Sequence, residues 1–301
     1  MTIADSAPGP YLVAMMPNVR DASSAPPRLR LELSALYTLP PGVGPEREDP
    51  VIAAALRAAG FEVMHGTSAE HARKLGMRLT CGGRVDRPEQ ADELARRWVG
   101  EGADGGSLHV GSGHEDDTQI DRLVAAIIEA GTRHGLCMCI ETHRATITQD
   151  TWRTVQIAKR HPAVRFNADF SHWYTGLEMV YGDWAAKLDF LQPVFERVRF
   201  FHGRIGNSGC IQIGLTHPSA AKAIGHFREM WTRAMVGFRR QAGPGDVLPF
   251  ATELLHPEIN YAPVHPDGRG GWSELGDRWS DALSLARIAR ECWDAAAPSP
   301  A

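Results

Sequence analysis

The sequence has no hydrophobic run long enough to cross a bilayer and no strong excess of charge of either sign. Near the N-terminus, the longest apolar run covers residues 11–16, and no basic stretch precedes it as in a signal peptide. The 32 basic and 36 acidic residues leave a net charge of −4, which argues against a surface for nucleic acid. We therefore expect neither a membrane nor a nucleic-acid partner.

Cysteine is scarce, and its spacing does not resemble a disulfide framework. The five cysteines are an odd number and contain no CxxC pair. This pattern argues against a disulfide scaffold and favours a reducing compartment, so we expect a cytoplasmic protein.

Short apolar runs alternate with segments of helical periodicity along most of the chain. Residues 1–27 are rich in Pro, Ala and Ser, and residues 295–301 are similar, so we predict a flexible N-terminal segment, one folded domain over 28–294 and a flexible tail. Within that domain, strands are predicted at 29–34, 61–65, 78–82, 106–110, 136–143, 164–169, 198–204 and 248–254. Helices are predicted at 50–59, 88–101, 119–134, 151–161, 181–194, 220–241 and 280–295.

Eight strands that alternate with helices predict the α/β class and, within it, a single-domain (β/α)8 TIM barrel. A doubly wound sheet is the alternative, but no strand is followed by a glycine-rich phosphate-binding sequence. About 45 residues separate the seventh and eighth strands, so the region between the seventh strand and the next helix should enlarge the rim.

Ionisable residues stand late in each of the last four predicted strands. A parallel strand buried on both faces is normally apolar, so such residues need a reason. Strand side chains alternate between faces, and this alternation can direct these residues into the barrel at its carboxyl end, where TIM-barrel enzymes do their chemistry. The four residues are Glu141, Asp169, His202 and Glu253.

A divalent cation would make this group of side chains favourable. Each residue alone is more often a capping or salt-bridge partner than a ligand, but their joint occurrence on consecutive strands favours a shared metal site. Three neighbouring carboxylates repel one another unless a cation lies between them. Three oxygen donors and one imidazole suit Mn²⁺, which we expect first, with Mg²⁺, Co²⁺ or Zn²⁺ as alternatives.

Over residues 28–262 the chain resembles the xylose isomerase-like TIM barrels, the superfamily of sugar isomerases, sugar phosphate isomerases/epimerases, ketose 3-epimerases, inosose dehydratase and endonuclease IV. The resemblance rests on Glu141-Thr-His143, Asp169-Phe-Ser-His172-Trp173, His202-Gly-Arg204 and the late Glu253. It implies one divalent metal ion on Glu141, Asp169, His202 and Glu253, with His172 and Arg204 facing the substrate. It also implies that Glu141 and Glu253 act as an acid/base pair.

The expected activity is that of a divalent-metal-dependent isomerase or epimerase acting on a sugar, keto-sugar or polyol. A metal that chelates a hydroxyl and the neighbouring carbonyl oxygen acidifies the α C–H and stabilises the resulting enediolate. One carboxylate removes the proton and the other returns it. If a β-hydroxyl leaves instead, the protein is a lyase of the inosose dehydratase type; a non-catalytic barrel subunit is a further alternative.

Three more residues are candidates for substrate binding. His109 stands at the end of the fourth predicted strand and could bind substrate or simply pack, whereas His143 could instead orient a carboxylate. Trp173 could form an apolar wall for a sugar ring or belong to the core. Because few basic residues stand at strand ends, we expect a small, non-phosphorylated, carbohydrate-like substrate. The enlarged rim indicates either a substrate other than a simple ketose or a second subunit, as in a homo-oligomer.

Overall fold

Eight parallel strands close into a barrel in chain order, with the eighth paired to the first. The computed structural model of the chain describes residues 16–34, 36–218 and 220–297. This architecture confirms the predicted (β/α)8 TIM barrel. The strands are β1 Arg28–Leu33, β2 Phe61–His65, β3 Arg78–Val85, β4 Gly105–Val110, β5 Cys137–Glu141, β6 Phe166–Ala168, β7 Val198–His202 and β8 Val247–Thr252.

Helices surround the barrel and bury their apolar faces against it. They are α1 Asp49–Ala59, α2 Ala69–Lys74, α3 Glu89–Glu101, α4 Asp117–His134, α5 Thr151–Arg160, α6 Ser171–Gly176, α7 Trp184–Phe190, α8 Gln192–Phe195, α9 Ala220–Arg239 and α10 Arg278–Ala295. Gly60, Gly102 and Gly135 end their helices in the left-handed conformation. The Asp150 side chain caps α5.

The helix predicted over 181–194 is wrong in detail, because this segment forms two short helices. The Asp183 side chain accepts a hydrogen bond from the Ala186 N–H, so α7 begins two residues after Gly182. Pro193 stands in the first turn of α8, where its missing N–H has no helical partner to lose. The short helices α2 and α6 and an antiparallel hairpin, β9 Val264–Pro266 with β10 Trp272–Glu274, were not predicted.

The last four strands are shorter than predicted and end where their polar side chains turn into the barrel mouth. The predicted strands at 136–143 and 198–204 end at Glu141 and His202, and those at 164–169 and 248–254 end at Ala168 and Thr252. Asp169 and Glu253 therefore lie one residue beyond their strands. This position lets their side chains lean over the open end of the barrel.

A small apolar cluster fills the barrel interior between its amino end and its polar mouth. Its members are Val19, Cys137, Cys139, Phe200, Val247 and Ala251, all buried. At the upper end of the cluster the Phe200 ring packs against His65 and His202. The interior also carries charge, because Arg30 and Glu32 of β1 are both fully buried and their side chains form an ion pair of 2.7 Å.

The folded unit begins before residue 28, which corrects the prediction of a flexible segment over residues 1–27. Met16 and Val19 are each only 1% exposed, and the Asn18 amide donates a 2.7 Å hydrogen bond to Asp246. The segment folds because Val19 fills the end of the barrel. Residues 1–15 lie outside the described part of the chain. Of the predicted tail 295–301, Ala295 ends α10 and Ala296 is buried, whereas residues 298–301 are not described.

The segment that follows β7 forms part of the rim at the carboxyl end of the barrel, as predicted from its length. Gln212 joins it to the segment after β8, because its amide nitrogen donates to the Leu255 carbonyl and its oxygen accepts from the Leu255 N–H, both at 2.9 Å. The Leu215 N–H donates to Asp281 of α10 at 3.0 Å. Over residues 16–297, apart from the two positions not described, no helix is long and apolar enough to cross a membrane.

Two glycine substitutions should change the free energy of unfolding in opposite directions. A Cβ at Gly106 would collide with the Cys81 carbonyl oxygen and lie 2.8 Å from the Trp98 ring, so Gly106→Ala should destabilise the barrel by about 1–3 kcal/mol. At Gly225, inside α9, nothing lies within 4 Å of the added methyl, so Gly225→Ala should stabilise by roughly 0.5–1 kcal/mol. Urea denaturation measures both changes. If both substitutions changed the free energy of unfolding by the same amount, the close packing of β4 against Cys81 and Trp98 would be contradicted.

Candidate metal centre and active site

Four side chains converge at the carboxyl end of the barrel. Glu141 and His202 are the last residues of β5 and β7, and Asp169 and Glu253 directly follow β6 and β8. Each offers one donor atom, and the four donor atoms lie within 4.8 Å of one another. The structure therefore brings together the four residues that the sequence pattern selected.

His202 stands at the centre of this group. Its Nδ1 atom lies 3.3 Å from Glu141 Oε2 and 3.3 Å from Glu253 Oε2. Nδ1 is buried and has no hydrogen-bond partner of good geometry among the residues described. Burial lowers the pKa of His202, but the two carboxylates outweigh it and raise the pKa well above the ordinary value.

The two glutamates are held in their ionised form. Burial raises the pKa of Glu141, but His202 and His109 outweigh this and hold it well below its usual value. The Ser107 hydroxyl donates a 2.8 Å hydrogen bond to Glu141 Oε2. Burial also raises the pKa of Glu253, but His202 and Arg204 outweigh burial and lower the pKa below its usual value.

Asp169 is bound by Arg204, a buried cation inside the cluster. The Arg204 guanidinium forms an ion pair with Asp169 and lies 3.1 Å from Glu253 Oε2. It also stacks on the Tyr261 ring, with 4.6 Å between guanidinium carbon and ring centroid. Burial alone would raise the pKa of Asp169, but Arg204 and His172 hold it far below its usual value.

The residues present fit a divalent cation. Three carboxylates face one guanidinium, and the negative charge that remains is balanced either by protons on the neighbouring imidazoles or by a divalent ion that replaces those protons. The unpartnered Nδ1 of His202 points between two of these carboxylates. Carboxylate oxygens with one imidazole are a donor set suited to Mn²⁺ or Mg²⁺ and acceptable to Zn²⁺.

A polar cavity of about 480 Å³ opens above the cluster. Its volume suits a small molecule. A larger groove of about 620 Å³ lies on the rim beside the β9–β10 hairpin, but none of the predicted ligands line it. The cavity over the cluster is lined by Ser34, His65, Gly66, Gly82, Gly83, Arg84, Ser107, His109, Glu141, His202 and Glu253.

Among the predicted substrate-binding residues, His109 lines this cavity. Its Nε2 lies 3.4 Å from Glu141 Oε2, and 39% of its side chain is exposed. Burial lowers its pKa, but the Glu141 carboxylate outweighs burial and raises the pKa above the ordinary value. His109 can therefore carry a proton beside the cavity.

His143 and His172 lie behind His109 in a row of imidazole rings that are tilted against one another. The ring centroids of His109 and His143 are 4.1 Å apart, and those of His143 and His172 are 3.8 Å apart. Burial, with His172 second, lowers the pKa of His143 to about 4. His109 and His143 also form a second potential donor group, with Glu141 common to both groups. His143, His172 and Arg204 are not part of the cavity wall.

Trp173 is a packing residue, which corrects its interpretation as a wall of the substrate site. It is fully buried, stacks on Phe170 with ring centroids 5.8 Å apart, and its indole N–H donates a 2.8 Å hydrogen bond to the Thr148 carbonyl. The adjacent His172 faces Asp169, whereas Trp173 belongs to the core. A resemblance in sequence alone does not show which of two adjacent side chains faces the site and which faces the core.

Several residues of the site were not predicted. Ser107 and Thr80 are small polar residues on inward positions of their strands, and Tyr261 follows the last strand in a loop. The clearest signal was in β1, where the charged residues Arg28, Arg30 and Glu32 alternate with leucines. Charged residues on one face of a buried strand indicate a polar barrel interior, and this alternation is visible in the sequence.

Comparisons with known proteins support the fold. No family model matches the chain, and no curated protein sequence matches it. A probable 3-DHS dehydratase, AsbF, from Bacillus anthracis superposes with a TM-score of 0.50 at 15% identity, over 77% of this chain and 96% of its own. A xylose isomerase-like TIM barrel protein from Mycobacterium smegmatis, solved in complex with magnesium, has a TM-score of 0.50 at 13% identity, over 90% and 98%. The chain thus shares the (β/α)8 TIM-barrel fold of these two structures.

Because Trp173 packs in the core, a substitution there should lower the stability of the protein without changing its affinity for metal. Trp173→Phe keeps an aromatic side chain but removes the 2.8 Å hydrogen bond from the indole N–H to the Thr148 carbonyl, so the free energy of unfolding should fall by about 1–3 kcal/mol. Metal affinity, measured by calorimetry, should stay at the wild-type value. A variant of wild-type stability with weakened metal binding would contradict this assignment.

Proposed function

We propose that the protein is a divalent-metal-dependent enzyme that transfers a proton at a carbon next to the carbonyl group of a small carbohydrate-like substrate. The observation that supports it most directly is the unpartnered His202 Nδ1, 3.3 Å from two carboxylates below a polar cavity. Such a buried group of acceptors is stable when a cation lies among them. Glu141, Asp169, His202 and Glu253 would hold that cation, with Mn²⁺ as the first candidate.

The bound ion would withdraw charge from the substrate oxygens and so acidify the neighbouring C–H. Glu141 and Glu253 are the acid/base pair. Their polar contacts with the described residues all use Oε2, so Oε1 of each is available for a substrate proton. Both carboxyls have lowered pKa values, so both begin the reaction as bases.

The two carboxylates allow an isomerase or an epimerase. If one glutamate removes the α proton and returns it to the adjacent carbon, the substrate is isomerised. Inversion of the same carbon needs a proton at the opposite face, which the second glutamate can deliver once it has taken one up from solvent through the cavity. Ser107 and His109 restrain Glu141, and Arg204 restrains Glu253, so each carboxylate is held in position before substrate binds.

A dehydratase is the second candidate, and His109 favours it. Loss of a β-hydroxyl needs a proton donor at the leaving oxygen, and His109 lines the cavity with a raised pKa. The Bacillus anthracis neighbour is itself described as a probable dehydratase. The same proton abstraction would begin both reactions, and the products distinguish them.

The cavity favours a substrate without a phosphate group. Arg84 is its only Arg or Lys among the lining residues, and the Arg84 guanidinium is already bound by Asp86 and by the Gly111 carbonyl.

Every proposed ligand and base comes from one chain, so a homo-oligomer is not required for the chemistry. The described cysteines are free thiols, which suits a cytoplasmic enzyme.

Metal content is the first test. Purified under metal-replete conditions, the wild type should contain about one divalent ion per chain, and Asp169→Asn should lose most of it because a neutral amide is a weaker ligand. The matched control is Asp183→Asn at the exposed start of α7, which should keep wild-type content. Elemental analysis gives both values. A wild type without metal would overturn the proposed mechanism and favour a non-catalytic barrel.

The acid/base role of Glu253 has a separate test. Glu253→Gln keeps an oxygen donor but cannot accept a proton, so turnover should fall by a factor of about 10²–10⁴. The assay is NMR of ketoses, inososes and keto-sugars in heavy water, which reports solvent deuterium at carbon in an isomerised product and loss of water in a dehydrated one. If turnover survives while the metal stays bound, Glu253 is not the base.

A further inference from the structure

A chain of buried hydrogen bonds leads from His202 to the charged interior below the site. His202 Nε2 lies 3.0 Å from His65 Nε2, and His65 Nδ1 lies 2.9 Å from the Thr80 hydroxyl oxygen. Thr80 in turn donates to Glu32, and all four side chains are buried. None of the last three residues is a ligand or a base in the mechanism above, so their arrangement requires its own explanation.

The far end of this chain is a carboxylate. Arg30 donates to Glu32 Oε1 from Nε at 3.2 Å and from a terminal nitrogen at 2.7 Å. Arg30 also binds Asp104 at 2.7 Å, and Asp104 accepts from Arg78 at 2.6 Å. Two guanidinium groups and two carboxylates balance in charge in this cluster, and the Arg30 guanidinium at 2.7 Å holds Glu32 as a carboxylate against the burial that raises its pKa.

An ionised Glu32 determines the direction of every bond above it. A carboxylate only accepts, so the Thr80 hydroxyl must donate to Glu32 and can only accept from His65. The proton of neutral His65 is then on Nδ1, and its Nε2 carries a lone pair. His65 faces a hydroxyl and an imidazole rather than an anion, so the neutral form suits its surroundings.

The same logic reaches His202. Because His65 Nε2 accepts, His202 must donate from Nε2, so Nδ1 is the ring nitrogen left to face the cluster. Nδ1 lies 3.3 Å from Glu141 and 3.3 Å from Glu253. Without a metal ion the two carboxylates favour a proton on Nδ1, and a cation that replaces this proton would meet the Nδ1 lone pair and the carboxylate oxygens together.

We propose that His65, Thr80 and Glu32 are positioning residues, which fix the tautomer and ring orientation of His202 so that Nδ1 is presented to the metal ion. This inference rests on the proposed metal centre and adds three residues to it. Partners of this kind typically change metal affinity by about 10–100-fold. The cross-strand pairing of His65 with Thr80 holds the middle of the chain in register.

The test removes one hydroxyl. Thr80→Val keeps the shape of the side chain but breaks the link between His65 and Glu32, so the dissociation constants for Mn²⁺ and Zn²⁺ should rise about 10–100-fold by calorimetry. Thr80→Ser, which keeps the hydroxyl, should restore most of the affinity. The control is Thr154→Val in α5, which loses an equally buried hydroxyl bonded to the Asp150 carbonyl, and it should bind metal as the wild type does.

A second readout does not depend on the variant. Long-range proton–nitrogen NMR of the zinc-loaded wild type should show His202 protonated at Nε2 and His65 protonated at Nδ1. The opposite protonation of either ring would overturn the inference, as would unchanged metal affinity in a folded Thr80→Val protein. A wild type that binds neither ion would instead contradict the proposed function, so the two failures are distinguishable.

Discussion

The excess of acceptors buried around His202 is the constraint on which the rest of the active site depends. Glu141 and Glu253 lie at equal distances from Nδ1, and Asp169 completes the group. Arg204 supplies one internal positive charge, and the rest must come from protons on the imidazoles or from a bound cation. The proposed divalent ion would supply it, and the cavity above the cluster would give a small substrate access to that ion.

Apolar packing and buried charge lie side by side inside the barrel. Val19 and the two inward cysteines of β5 belong to an apolar cluster whose Phe200 ring packs against His65 and His202. The buried Arg30–Glu32 pair lies on β1, and the candidate metal centre lies at the mouth. Packing and hydrogen bonds therefore restrain the site residues from below.

Much of the fold and the core of the site could be predicted because the signals are local. The parity of Cys137, Cys139 and Glu141 follows from strand geometry alone, and the glycine caps follow from the left-handed conformation. Other features depend on partners that are distant in sequence. Trp173 could not be distinguished from a substrate wall until Thr148 was seen to accept its N–H, and Val19 could not be assigned to the core before the barrel was closed.

Anomalous diffraction at the manganese edge, from crystals grown with Mn²⁺, tests the central claim most directly. We predict one strong peak within coordination distance of His202 Nδ1 and of carboxylate oxygens of Glu141, Asp169 and Glu253. It should be accompanied by a shift of the Arg204 guanidinium away from the carboxylates it now pairs with. A map without a peak at this position, or with manganese bound only elsewhere, would contradict the account.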